Sequence, residues 1–274
     1  LTSGVENSAA TSSGSPRPLL PLIDTAGRLS IESGASDNRC CLKPPKARMA
    51  DPLHLDNPIW YALKTKHQYL DCGLGLAVRY PNEISRFAGL GAPTPEAFAD
   101  LAASLNPGAT VSMFTAEPLD VPPEWTVVRT RELEQMLCMQ CQPEERQVPV
   151  ELGFQDVAEM LALVEATRPG PFLPATIIMG RYLGIRTPSG SLVAMAGERL
   201  QLPDYVEISA VCTDPAFRGR GYAKDILSAL IKGIFAVGCT PFLHVKTDQG
   251  AKGLYEALGF RTRRIINLTV MTRP

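Results

Sequence analysis

The sequence lacks a net charge of either sign: 27 basic and 28 acidic side chains leave a formal charge of -1 over 274 residues. A chain so balanced has no global attraction to nucleic acid. It lacks a disulfide framework, because its seven cysteines are odd in number and scattered. It lacks a metal-ligand pattern, because Cys138-x-x-Cys141 has no second pair at matching spacing. We read that pair as two cysteines at the end of a helix and the overall usage as that of a reducing, cytoplasmic compartment. No stretch is apolar enough to span a bilayer. The 45% apolar and 20% charged content is that of an ordinary globular protein.

Residues 1–48 contain no aromatic side chain and are rich in Ser, Pro, Gly and Ala, so we expect a disordered extension. Leu19-Leu-Pro-Leu-Ile23 is too short and broken for a signal-peptide core. Globular composition begins at Met49, which we expect to be the natural start, with an upstream extension before it. Residues 49–145 read as a smaller α/β lobe. Helices are expected from Pro58 and from Thr94-Pro95, where Thr caps and Pro opens the first turn. Strands are expected at 74–80, 111–115 and 125–128, and a further helix at 132–141. Gly73-x-Gly75 does not extend to a phosphate-binding fingerprint.

The informative stretch is residues 205–223. Val206, Ile208 and residues 210–212 make a buried strand, and Asp214-Pro215 ends it. Arg218-Gly-Arg-Gly221 then opens a helix with apolar positions Ala223, Ile226, Leu227, Leu230, Ile231 and Ile234. Glycines directly before a helix leave backbone N–H groups at the positive end of its dipole, a favourable place for phosphate. About thirty residues later comes Ala251-x-x-Leu254-Tyr255-Glu-Ala-Leu-Gly-Phe260. The first motif fits Arg/Gln-x-x-Gly-x-Gly/Ala, and the pair resembles the acyl-CoA-binding core of the GNAT N-acyltransferase family. The resemblance runs from about Val150 to the C-terminus.

That resemblance implies an α/β (α+β) GNAT fold over residues 146–274, a mixed and mostly antiparallel sheet flanked by helices. The preceding lobe would be a smaller, degenerate GNAT-like half. It implies acetyl-CoA as co-substrate, with the backbone of Gly219, Arg220, Gly221, Tyr222 and Ala223 around the pyrophosphate. Arg218, Arg220, Lys224 and Lys252 would be nearby cations. Val211, Cys212 and Thr213 would lie beside the pantetheine arm, so Cys212 is not a nucleophile. The Val211 N–H would face the oxyanion, and Tyr255 would protonate the departing thiolate. Asp248 stands where the family often has Asn, at the start of the last helix, and we place it near the cofactor.

An amine with a pKa near ~10 is only about a thousandth deprotonated at neutral pH, so a base helps. Glu207 is the candidate. A register that sets Glu198 opposite it would pair two carboxylates and raise one pKa. His244 is a second candidate base, its other reading being a hydrogen-bonded core histidine. Phe172, in the loop after the first helix of the catalytic half, is read either as an acceptor contact or as core. The expected reaction is acetyl transfer to a primary amine of a small molecule. A CoA-binding sensor without turnover and a protein N-acetyltransferase are the alternatives. Neither nucleic acid nor membrane is an expected partner, and a homodimer is left open.

Overall fold

Two prolines at helix starts and a series of alternating strands set the architecture. The computed structural model describes residues 51–141, 146–246 and 251–274. The expected disordered extension, Met49 and Asp248 lie outside the described residues. Pro58 opens α1 (Pro58–Lys64). A hairpin of two short strands follows, β1 (Ala77–Arg79) with β2 (Ala88–Leu90). Then comes α2 (Pro95–Ala103), where Thr94 Oγ1 accepts from the Ala97 N–H at 3.3 Å as the Thr-Pro start predicts.

The remaining strands are β3 (Thr110–Thr115), β4 (Thr126–Cys138), β5 (Val150–Leu152), β6 (Tyr182–Arg186), β7 (Leu192–Gln201), β8 (Tyr205–Thr213), β9 (Thr240–Lys246) and β10 (Phe260–Thr272). The helices among them are α3 (Val157–Thr167), α4 (Tyr222–Ala236) and α5 (Lys252–Ala257). All eight strands form one mixed sheet in the order β3-β10-β4-β9-β8-β7-β6-β5. Every pairing in it is antiparallel except β8 with β9. The sheet runs across the expected divide at residue 145, since β3 and β4 pair with β10, and β4 with β9.

Residues 132–141 are a correction: the expected helix is the second half of β4. Glu, Gln, Leu and Met favour helix locally. The segment is instead held between two neighbours, Phe260↔Cys138 on β10 and Leu133↔Lys246 on β9. Ladder pairing and burial override weak propensity. The Cys138–Cys141 pair therefore sits at a strand end, both residues buried. Among the described residues no group of His, Cys, Asp or Glu is placed to hold a metal ion, and no helix is long and apolar enough to cross a membrane.

The two faces of the sheet carry different layers. Ile226, Leu227, Leu230, Ile231 and Ile234 of α4 pack with Leu243 and Val245 of β9 and with Tyr255 and Leu258. On the opposite face Phe114, Leu133, Phe242 and Ile266 pack with α1. On that same side α3 packs through Met160 and Leu163 against Tyr182, Met195 and Cys212. Gly197 on β7 is required here, since a Cβ would meet the Tyr182 ring at 2.2 Å. Gly197→Ala should lower unfolding free energy by about 1–3 kcal/mol, read as a lower urea midpoint. An unchanged midpoint would contradict that packing.

Candidate active site

The parallel ladder between β8 and β9 is short. It pairs Tyr205↔Thr240, Val206↔Pro241 and Glu207↔Phe242, and then stops. Beyond that rung β8 stays with β7, and β9 stays with β4. The strands part, and a cavity of about 930 Å³ opens between them. Every residue from 208 to 213 and from 243 to 246 lines it. Successive strand side chains point to opposite faces, so the cavity passes through the sheet.

One deviation in β8 shapes its wall. The ladder steps from Met195↔Cys212 to Gly197↔Ser209, so Ala210 and Val211 oppose the single residue Ala196. Ala210 takes φ 54°, the left-handed region that an alanine rarely adopts. This is a β-bulge. It releases Ala210 and Val211 from regular pairing and re-aims the backbone at the cavity.

At the α4 end, Gly219 has φ 76° and Gly221 has φ 86°, a conformation that glycine adopts without steric cost. Gly221 is the N-cap of the 15-residue α4. A Cβ at Gly219 would meet nothing within 4 Å, and one at Gly221 only Arg146 Nη1 at 3.8 Å. The space before the helix N-terminus is thus open to an anion. Arg218, Arg220 and Lys224 line the same mouth, with the Arg220 guanidinium 4.9 Å above the Phe217 ring. This cradle fits a pyrophosphate. Val211, Cys212, Thr213 and residues 218–223 all line the cavity, together with Tyr255.

Tyr255 is buried on α5, and its hydroxyl pKa is pushed up to about 12 by burial and by the neighbouring Cys212. It keeps its proton throughout the neutral range and has one to give. Burial also pushes the Cys212 thiol up to about 11, so it is a poor nucleophile at neutral pH.

Several expected residues stand elsewhere. Glu207 does not open on the cavity. It is fully buried and gripped by Arg199, whose Nε donates to Oε2 at 2.8 Å and Nη2 to Oε1 at 2.6 Å. His244 Nδ1 lies 2.7 Å from Oε1. Burial alone would raise its pKa, but the Arg199 charge and hydrogen bonds, then His244, outweigh it and hold the carboxyl at about 2. So weak a base without access to the cavity does not take a proton from an amine. Glu198 does not face it either. A register shift between Glu198 and Gln201 sets Glu198 against Ile208, and Arg199 takes the place beside Glu207. The Glu198 carboxylate instead lies 3.6 Å from Arg181 Nε in a separate pocket.

His244 does line the cavity. The Gln135 amide fixes its tautomer. Gln135 Oε1 accepts from Arg263 Nη1 at 2.9 Å, and Nε2 donates to the Leu55 carbonyl at 2.8 Å. The second amide hydrogen of that nitrogen points to His244 Nε2 at 3.1 Å. Nε2 is then the acceptor, and Nδ1–H donates to Glu207. Phe172 is core: it is buried against Tyr182, ring centroids 5.4 Å apart, and is not in the cavity wall. Lys252 is also absent from the wall, because its Nζ donates to Glu134 Oε2 at 2.6 Å.

Sequence reasoning missed the opposite mouth. Phe87, Ser112, Phe114, Arg129 and Arg131 come from residues before 145, and Arg199 from β7. The Arg199 guanidinium sits 4.8 Å from the Phe87 ring centre. The alternation Arg129-x-Arg131-x-Leu133 was the available signal, hidden by reading the segment after 128 as loop and helix.

The family model of FR47-like proteins matches residues 182–267. A solved GNAT-family protein from Novosphingobium aromaticivorans shares 37% identity, with a TM-score of 0.73 over 80% of this chain and 98% of that one. The chain belongs to the GNAT family. Among curated proteins, the N-alpha-acetyltransferase RimI of Mycobacterium tuberculosis is 38% identical over 84 residues, 29% of this chain and 51% of that one. The chain thus spans about half of that relative's length. The ribosomal protein bS18-alanine N-acetyltransferase of Haemophilus ducreyi is 30% identical over 112 residues, 39% of this chain and 77% of that one.

Glu207 makes a pH prediction. Its folded pKa of about 2 lies below the ordinary 4.5, so its stabilisation is complete above pH 4.5 and is lost as pH falls towards 2. The shift corresponds to on the order of 3 kcal/mol. Urea unfolding at stepped pH should show this loss in the native protein and not in Glu207→Gln. The variant should also be weaker at neutral pH by about 3–5 kcal/mol, since Arg199 is left buried without its counter-charge. Equal acid dependence in both proteins would contradict the ion pair.

Proposed function

We propose that this GNAT protein transfers an acetyl group from acetyl-CoA to a primary amine of a small molecule, directly, with both substrates bound. The observation that carries this reading is the cavity that crosses the sheet, with the phosphate cradle at one mouth and a separate wall at the other. Two substrates can approach one reacting centre from opposite faces without a covalent enzyme intermediate. Bound acetyl-CoA supplies a thioester acyl group. The amine N–C bond forms as the thioester C–S bond breaks; the amine gives up one proton, and the sulfur takes one.

Backbone N–H groups of residues 219–223 hold the pyrophosphate, and Arg218, Arg220 and Lys224 add charge. Lys252 is left out of this set. The Val211 N–H, turned by the bulge, stabilises charge developing on the acyl oxygen. Tyr255 protonates the sulfur, a suitable task for a weak acid beside a thiolate whose thiol pKa is near ~8.5. Glu207 serves as a positioning residue, holding His244 and Arg199 at the edge of the site.

The names of the two curated relatives favour a second reading, a protein N-terminal amine as acceptor. The wall of Phe87, Ser112 and Phe114 across the second mouth favours a small acceptor. A CoA-binding sensor is the third reading, and Tyr255 in the cavity wall argues against it. Release of free CoA thiol, screened over amino acids, polyamines, aminoglycosides and short peptides, separates them. Tyr255→Phe should lower kcat by about 100-fold or more and change CoA affinity little. Near-normal turnover in that variant would remove Tyr255 as the acid.

A further inference from the structure

Positive charge lines both mouths of the cavity, and no Asp or Glu stands among its described lining residues. At the α4 mouth, Arg218, Arg220 and Lys224 answer to the phosphates of CoA. That leaves the other mouth unexplained. Arg129 and Arg131 are two residues apart on β4, so they point to one face, the face that carries Leu133. Leu133 pairs with Lys246, and Arg131 lies across from Leu268 and, one strand further, Phe114. Leu133, Leu268 and Phe114 pack on the side away from α4. These cations therefore face the acceptor side, separated by the sheet from the phosphate cradle.

Arg199 lies there too, but Glu207 neutralises it. No carboxylate pairs with Arg129, Arg131 or Lys246 among the described residues. Uncompensated cations in a partly enclosed cavity concentrate anions and exclude cations. Two guanidinium groups roughly 7 Å apart along a strand suit a carboxylate, which arginine binds through paired N–H donors. The same field disfavours an ammonium ion and so favours the neutral, nucleophilic amine. It thereby assists a site whose buried glutamate cannot serve as base.

Resting on the transfer proposed above, we infer that the acceptor is a small amine that also carries a carboxylate, held by Arg129 and Arg131 on the sheet face away from α4. Amino acids meet this description; polyamines and aminoglycosides are repelled.

The test compares each acid with its amide. Thiol release from acetyl-CoA is measured with glycine and glycinamide, with glutamate and its amides, with spermidine, and with peptides having acidic N-terminal segments. The best acid should exceed its amide in kcat/KM by about tenfold or more. In Arg129→Gln and Arg131→Gln that gap should fall to about twofold, chiefly through KM, with Arg131→Lys in between. Melting temperatures show that each variant is folded. Amides or spermidine used as well as acids, a gap that survives both substitutions, or a peptide preferred over every free amine would each overturn the inference. If no amine releases thiol, the transfer reading fails, and equilibrium dialysis of labelled glutamate against the full chain with CoA decides the site alone. Binding weakened about tenfold in Arg131→Gln supports it; equal binding in both proteins overturns it.

Discussion

A buried carboxylate at the last rung between β8 and β9 ties three strands together where two of them part. Glu207 pairs with Phe242 across the parallel ladder, while its oxygens bind Arg199 on β7 and His244 on β9. Desolvating a carboxylate is expensive, and this one repays the cost through two guanidinium hydrogen bonds and one from imidazole. The consequence is mechanical. The strands are clamped at one point and free beyond it, so a fixed gap can exist inside a sheet that would otherwise close.

The gap explains why the site is assembled from distant parts of the chain. The bulge at Ala210 bends one wall, and the left-handed glycines before α4 cap one mouth. Residues before 145 close the other mouth by adding β3 and β4 to the same sheet. Those strands complete the sheet, and β4 also supplies Arg129 and Arg131 to the cavity wall. The partly buried hydrogen-bond chain from Arg263 through Gln135 to His244 and Glu207 links strand β10 to the clamp.

What could be read in the sequence was what depends on local geometry. The glycines at 219 and 221 have one main reason to precede an amphipathic helix, and Tyr255 follows in the second motif about thirty residues later. Strand β8 and helix α4 lie where periodicity puts them. What could not be read depends on register. Glu198 and Glu207 are close in sequence, yet a single shifted residue set Arg199 beside Glu207. That shift turned a candidate base into half of an ion pair. Lys252 was placed near the cofactor and is removed from it by one carboxylate, Glu134; of the two readings of Phe172, packing against Tyr182 decides for core. Residues 132–141 carried helical propensity against a strand pairing that only the folded sheet supplies. The cationic wall of Arg129 and Arg131, on the same strand, was invisible for the same reason.

We propose that acetyl-CoA enters the sheet between the splayed strands β8 and β9. A crystal structure of the protein with CoA measures this directly. Pyrophosphate density is expected against the backbone N–H groups of residues 219–223, the pantetheine arm along residues 211–213, and the sulfur beside the Tyr255 hydroxyl. CoA bound at any other surface, or a gap between β8 and β9 filled by the protein's own side chains, would contradict it.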